Sequence, residues 1–261
     1  MNIIVCVKQV PDTAEVKINP ETNTIIRAGL PNIVNPDDKH ALEAALQLRE
    51  THGGKVTVLS MGPPQAKEAL KECLAMGADE AILLSDMAFG GADVLATSNA
   101  LVAGVRKIGE FDLILCGKQA IDGDTAQVGP EMAELLNLPQ ITYAAKIEVE
   151  GKSIRVTREL DDELEVVEAQ LPALVTAVRA LNEPRMATVR GTMKANRTEI
   201  PVYGVKDLDV DVEKLGFKGS PTQVRKIFAP PVNDNTCMIE APDTKSAVSA
   251  LVEKLTEAKI I

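Results

Sequence analysis

Asp112-Leu113-Ile114-Leu115-Cys116-Gly117-Lys118-Gln119-Ala120-Ile121-Asp122-Gly123-Asp124-Thr125-Ala126-Gln127-Val128-Gly129-Pro130 is the stretch whose reading decides the fold. The apolar run 112–116 reads as a buried strand. The residues after the loop, Glu131-Met132-Ala133-Glu134-Leu135-Leu136, read as a helix. A glycine-bearing loop between strand and helix points backbone N–H groups at the space above a sheet. The helix start adds unpaired donors and a partial positive charge, so that space suits a phosphate. An ordinary strand-to-helix turn, with Asp124 or Thr125 as N-cap, accounts for the same residues without a ligand.

Outward from this loop, the N-terminal half alternates short β-branched runs with amphipathic stretches. Strands are predicted at 3–8, 55–60, 81–84 and 113–116, and helices at 37–51, 64–76 and 92–108. Ala41, Leu42, Ala45 and Leu48 give the first helix an apolar stripe. Such alternation predicts an α/β fold with a doubly wound, mainly parallel, Rossmann-like sheet and helices on both faces. Ligands of these sheets bind beyond the C-terminal strand ends. Four segments follow such ends: Gln9-Val10-Pro11-Asp12, Met61-Gly62-Pro63, the stretch 85–93, and the loop 117–130. Their convergence on one rim favours the nucleotide reading.

Residues 16–19 and 24–27 flank a polar turn and predict a β-hairpin after the first strand. Past Leu138-Pro139-Gln140 the pattern becomes a β-meander, with strands at 141–149, 153–158 and 164–168 and a turn at Glu150-Gly151. A further buried strand is predicted at 174–178 and a helix over 183–196. Beyond Tyr203, Gly216, Gly219, Pro221, Pro230, Pro231 and Pro242 punctuate a loosely patterned segment that ends in a helix at 244–259. The division predicted is a nucleotide-binding domain at 1–204 and a C-terminal arm at 205–261. The final helix either packs on another surface or folds back on its own domain.

Composition narrows the function. The 261 residues carry a net charge of −10 with no basic stripe, which argues against nucleic acid. No apolar run reaches membrane-spanning length, and Met1 leads straight into a strand without a signal-peptide pattern, so a cytoplasmic protein without membrane insertion is expected. Four scattered cysteines (Cys6, Cys73, Cys116, Cys237) and two histidines (His40, His52) offer neither a metal site nor a hydrolytic triad. Aromatic residues are 2% of the chain, too few for a base-stacking platform.

With the loops placed, the sequence resembles the β subunit of electron-transfer flavoproteins over nearly its whole length. The most specific signature spans 156–176: Val156, Arg158, Asp161-Asp162-Glu163, Glu165, Val167 and Pro172-Ala173-Leu174-Val175-Thr176. Val7-Lys8-Gln9, Asn35-Pro36, Ala75-Met76-Gly77-Ala78-Asp79 and Leu181-Asn182-Glu183-Pro184-Arg185 also fit. The resemblance implies a subunit that holds an adenine nucleotide and is not catalytic alone. It puts the nucleotide contacts on Cys6, on Asn35, Pro36, Asp37 and Asp38, and on Met61. In the loop they fall on Gly117, Lys118, Gln119, Ala120, Ile121, Asp122, Gly123, Asp124, Thr125, Ala126, Gln127 and Val128. Asn35 and Thr125 suit ribose or phosphate. Gln127 and Val128 offer backbone amides. Asp122 and Asp124 either cap the helix or bind ribose hydroxyls. A second FAD belongs to the partner α subunit, which makes electron transfer the work of a heterodimer. Residues 182–194 resemble the loop that docks on partner dehydrogenases, with Pro184, Arg185, Val189 and Met193 as docking residues. Val189 stands where a leucine is common.

The family divides into carriers whose β subunit holds AMP and electron-bifurcating forms whose β subunit holds FAD. Ser85-Asp86-Met87-Ala88-Phe89-Gly90-Gly91-Ala92-Asp93 is similar to the bifurcating branch, although Met87 and Val94 replace residues that are often Arg and Thr there. Gly90 and Gly91, beside Phe89, would admit a flat ring, and Asp93 would cap the next helix. On this resemblance NADH (as NAD(H), the substrate) delivers hydride to the β-bound FAD. Electrons then pass to ferredoxin or flavodoxin and, through the α-subunit FAD, to an acyl-CoA or 2-hydroxyacid dehydrogenase. The alternative is a housekeeping carrier with structural AMP in the same site. Two readings of another class are a subunit whose nucleotide only props the fold, and a stand-alone adenine-nucleotide hydrolase or sensor. For the hydrolase, Asp122 and Asp124 supply carboxylates, but no GxxxxGK[ST] pattern accompanies them.

Overall fold

The sheet is wound about β1 (Asn2–Cys6). The computed structural model describes residues 1–12, 18–19, 24–25, 31–225 and 236–261. After β1 come four short strands: β2 (Gln9–Pro11), β3 (Ile18–Asn19), β4 (Thr24–Ile25) and β5 (Asn32–Val34), pairing antiparallel as β2 with β5 and β3 with β4. The hairpin predicted at 16–19 and 24–27 is therefore present at its inner residues. Its outer ones lie outside the described residues.

The alternating half follows: α1 (Pro36–His52), β6 (Lys55–Met61), α2 (Lys67–Met76), β7 (Glu80–Leu84), α3 (Val94–Ile108), β8 (Leu113–Gly117) and α4 (Val128–Leu136). Local chemistry sets these boundaries. α1 opens with Pro36 and carries Asp37 and Asp38 in its first turn, Arg49 and His52 in its last, as the helix dipole favours. α3 starts where the Asp93 carboxylate accepts the Ala96 N–H at 3.0 Å, which is the predicted cap. The chain then forms β9 (Gln140–Glu150), β10 (Ser153–Glu159), β11 (Leu164–Gln170), β12 (Ala173–Ala177), α5 (Val189–Ala195), β13 (Val202–Tyr203) and α6 (Thr244–Glu257).

The strand order is β11-β10-β9-β12-β8-β1-β6-β7-β13. All neighbours from β9 to β13 pair parallel, and β9, β10 and β11 extend the sheet as an antiparallel meander. Helices cover both faces. Ile3, Val5 and Val7 pack with Leu42, Ala45, Leu70 and Leu74 from α1 and α2. Ile4 and Cys6 pack on the other side with Leu101, Val105 and Met132 from α3 and α4. This is the predicted doubly wound α/β fold. The chain steps from β1 to β6 and β7, then returns to place β8 on the opposite side of β1. That reversal opens a crevice between the C-terminal ends of β1 and β8, where such sheets take their ligands.

Two regions differ from their sequence patterns. The helix predicted at 183–196 begins only at Val189, because Pro184 biases Glu183 toward extended backbone and Thr188 caps the later start through the Gly191 N–H at 2.9 Å. Residues 205–225 are not a loose tail: they form two 3₁₀ turns and bury Leu208 and Leu215 against the α3–α4 face. By contact density the chain divides into units 1–225 and 226–261. In the second, α6 is capped by Asp243, whose carboxylate accepts the Ser246 N–H at 2.9 Å.

Candidate functional site

The β1–β8 crevice is plugged by the first turn of α1. Asp38 is buried there, and its two carboxylate oxygens accept the Lys8 N–H at 2.7 Å and the Gly117 N–H at 3.1 Å. One side chain thus ties together the loops that leave the two strands flanking the switch point. Burial pushes its pKa up to about 7, even though hydrogen bonds from Asn35, Lys8 and Gly117 favour the charged form. Cys6, at the end of β1, is buried beside it. Burial first, and the Asp38 charge second, push the Cys6 thiol up to about 12, so it is an inert neutral group lining the crevice floor. Gly117 is required by the closeness of α1. A Cβ there would sit 2.7 Å from the Asp37 carbonyl carbon and 2.7 Å from the Asp38 nitrogen.

Asn35 is fully buried at the start of α1, yet it does not cap that helix. Its amide reaches across the crevice, donating to the Gln119 carbonyl at 2.8 Å and accepting the Ile121 N–H at 3.1 Å. The side chain read as a ribose or phosphate ligand is committed to shaping the loop. Asp37 is also committed: Arg179 Nε donates to it at 2.8 Å.

The loop from 117 to 128 is fixed by its own chemistry. Asp122 pairs with the Lys8 ammonium at 2.6 Å, and Asp124 accepts a hydrogen bond from Gln119 Nε2. Neither aspartate caps α4. The helix starts at Val128, with Gln127 at its N-cap position and no side-chain cap, so the expected capping by Asp124 or Thr125 is absent. Two non-glycine residues adopt left-handed backbone here, Asp124 at φ 53° and Ala126 at φ 54°. Such conformations in L-residues concentrate at functional sites, where the surroundings hold them in place. Thr125 and Gln127 are exposed. An uncapped helix start, approached by a loop whose carboxylates are already partnered, is a donor set that fits a phosphate-bearing group.

The other rim residues lie farther along the sheet. Met61 is half-buried at the end of β6, next to β1. Phe89 is buried in the core below the loop after β7. Gly90 and Gly91 face inward to their own chain: the Gly90 carbonyl accepts the Phe217 N–H at 2.9 Å, and a Cβ on Gly91 (φ 72°) would stand 3.2 Å from Phe217 Cβ. Asp93 is further held by the Thr222 N–H at 2.9 Å and hydroxyl at 2.8 Å. Packing against Phe217 therefore accounts for Gly91 without a ring beside it.

The predicted docking residues divide sharply. Arg185 is bound to α1, with Nε 2.8 Å from Glu43 and Nη1 2.5 Å from Glu50. Burial alone would raise the Glu43 pKa, but the Arg185 hydrogen bonds outweigh it and hold the carboxyl below its usual range. Two residues of the same strap reach α1 at regular steps: Arg179 to Asp37, and Asn182 to His40 in both directions, His40 Nδ1 donating to the Asn182 carbonyl at 2.8 Å and Asn182 Nδ2 to the His40 carbonyl at 3.0 Å. Pro184 is half-buried. Val189 and Met193 point outward from α5, at 81% and 54% exposure, beside Met186 at 86%. Sequence reasoning passed over Arg179 and His40, although their three-residue spacing from Asn182 and Glu43 was the available signal.

Fold and rim define a doubly wound α/β protein whose loops converge above the β1–β8 switch point. Residues 22–208 match the family model described as "Electron transfer flavoprotein domain". The chain is 52% identical over 261 residues to the electron transfer flavoprotein subunit beta of Clostridium acetobutylicum and 54% identical over 270 to that of Megasphaera elsdenii, each match covering both chains in full. It is 52% identical over 262 residues, again covering both chains, to the Caffeyl-CoA reductase-Etf complex subunit CarD of Acetobacterium woodii. The chain belongs to the electron transfer flavoprotein family, as a β subunit. Among the described residues no helix is long and apolar enough to cross a membrane.

Proposed function

We propose that this chain pairs with an α subunit in a cytoplasmic, electron-bifurcating flavoprotein and holds FAD along the rim formed by Asn35–Asp38, Met61 and the loop 117–128. The reading is carried by its full-length likeness to a subunit of a caffeyl-CoA reductase complex. FAD bound here supplies hydride acceptance from NADH and release of electrons one at a time, toward ferredoxin or flavodoxin and toward the α-subunit FAD. The protein's part is positional. Asn35 and Asp38 fix the loop against β1, the α4 start faces the phosphates, and Lys8 cancels the Asp122 charge that would repel them. The exposed Met186, Val189 and Met193 dock an acyl-CoA or 2-hydroxyacid dehydrogenase, and residues beyond 204 brace the α subunit.

One observation favours a second reading, structural AMP at the same loop. Phe217 occupies the space beside Gly91 that would otherwise receive a flavin ring. The test is to co-express the chain with its α partner and count FAD and AMP per heterodimer after gentle purification. Two FAD and no AMP are expected, with NADH-dependent ferredoxin reduction. One FAD with one AMP refutes bifurcation and leaves a single-flavin carrier.

A further inference from the structure

Tyr143 has left-handed backbone, φ 62°, in the middle of β9. An aromatic side chain pays a steric penalty there that glycine or asparagine would not. The strain coincides with a break in pairing on both sides. The β9–β10 register shifts between Thr157 and Arg158, and the β9–β12 register between Val175 and Ala177. A bulge at this point bends the strand and re-aims one side chain. Thr176 anchors it, its hydroxyl oxygen accepting the Tyr143 N–H at 3.1 Å.

The re-aimed ring meets Lys118. The lysine ammonium stands 5.1 Å from the ring centroid, within the range of a cation–π contact. Lys118 is the second residue of the candidate loop, tied to the end of β12 by its N–H to the Ala177 carbonyl at 2.8 Å. The two lysines of this rim are held differently. Lys8 is neutralised by Asp122, whereas among the described residues no carboxylate lies within ion-pair distance of Lys118. An aromatic face restrains an ammonium without cancelling its charge. The half-buried setting of both groups also spares that charge from full solvent screening.

Resting on the nucleotide reading above, we infer that Tyr143 is a positioning residue that holds Lys118 as an undiminished cation for a phosphate group of the bound nucleotide. Lys118 touches the phosphate, and Tyr143 acts through Lys118. The adenine and ribose owe nothing to the pair.

The heterodimer is used with its α-subunit flavin in place and its second nucleotide removed, and titrated with ADP and with adenosine. Tyr143→Leu is expected to weaken ADP roughly 2- to 30-fold, the span of a cation–π contact, and to leave adenosine unchanged. Tyr143→Phe keeps the ring and binds ADP like the parent protein. Lys118→Met weakens ADP at least as much as Tyr143→Leu, and adding Tyr143→Leu to it has no further effect. The inference is overturned if Tyr143→Leu lowers adenosine and ADP affinity equally, if it spares ADP, or if its effect persists without Lys118. Should Tyr143→Leu fail to fold, Lys118→Met still decides: equal loss of ADP and adenosine rejects a phosphate contact. A parent heterodimer that binds neither ADP nor adenosine refutes the nucleotide reading itself, and the inference falls with it.

Discussion

Replacing Gly117 with alanine tests the geometry of the rim directly. The added methyl would sit 2.7 Å from two backbone atoms of α1, the Asp37 carbon and the Asp38 nitrogen. Ordinary contact begins near 3.4 Å, so either the helix start or the loop must give way. Neither is a flexible side-chain tip. Overpacking of this kind costs about 1–3 kcal/mol. Displacing the loop also lengthens the Gly117 N–H bond to Asp38, and a hydrogen bond to a carboxylate contributes about 1.5–3 kcal/mol. Relief of one term partly spares the other, which puts the net loss at about 3 kcal/mol. In a domain of this size that corresponds to a fall in Tm of roughly 6–12 °C. Gly123→Ala in the same loop is the control, because nothing lies within 4 Å of a Cβ there, and its stability should stay within about 0.5 kcal/mol of the parent. Thermal melts of both variants, with nucleotide content measured on the same samples, are the assay. A Gly117→Ala protein that melts with the parent and keeps its nucleotide would refute the claim that α1 presses on this loop.

Asn35→Ala removes both hydrogen bonds to the loop and strands the Ile121 N–H. A loss of about 1–3 kcal/mol in urea unfolding is expected, with reduced nucleotide content. Asp38 carries a pKa of about 7 in the fold against an ordinary 3.8, so the folded state holds its proton more tightly than the unfolded chain. Its contribution to stability is complete below about pH 4 and is lost as pH rises through 7; Asp38→Asn should flatten the decline in urea midpoint between pH 5 and 8. Arg185→Ala leaves the Glu43 carboxylate without its partner, at about 1–3 kcal/mol given the half-exposed arginine. Because Glu43 is held below its usual pKa, the stabilisation exists above that range and fades on acidification, so parent and variant unfolding curves should converge toward pH 3. Val189→Ser, on an exposed face, should leave Tm unchanged while raising KM for the partner dehydrogenase several-fold; unchanged KM would remove α5 from the docking surface.

The parallel half of the sheet was legible because its signal is local. A β-branched run between Gly54 and Gly62-Pro63 marks Lys55–Met61, an apolar run ending at a glycine marks Leu113–Gly117, and the stripe of Ala41, Leu42, Ala45 and Leu48 marks α1. The meander was equally plain from alternation and the turn at Glu150-Gly151. The roles of individual site residues were not legible, because they depend on what arrives from elsewhere in the chain. Asn35 was expected to contact a nucleotide; what the sequence did not reveal is that the loop 119–121, far along the chain, rests on its amide. Arg185 was expected on the docking surface; its pairing with Glu43 and Glu50 depends on helix residues 142 and 135 positions earlier and left no local trace. Tyr143 gave no signal at all, since an alternating strand pattern does not reveal a bulge. Gly90 and Gly91 were expected to admit a flat ring; the group that stands beside Gly91 is Phe217, which arrives from far along the chain.

The strap beside α1 has a consequence for how this subunit can be altered. Asp37, His40 and Glu43 meet Arg179, Asn182 and Arg185, so helix and strap advance together by three residues at each rung. A one-residue insertion in either partner would put every later rung out of step, whereas residues after Arg185 are bound by no such metre. The stretch from Met186 to the end of α5 is held by packing instead: Gly191 lies against the Ala75 backbone of α2, and Ala195 is buried in the core. A graft between relatives would therefore keep the rungs and the small residues at 191 and 195, and vary only the outward side chains of Met186, Val189 and Met193.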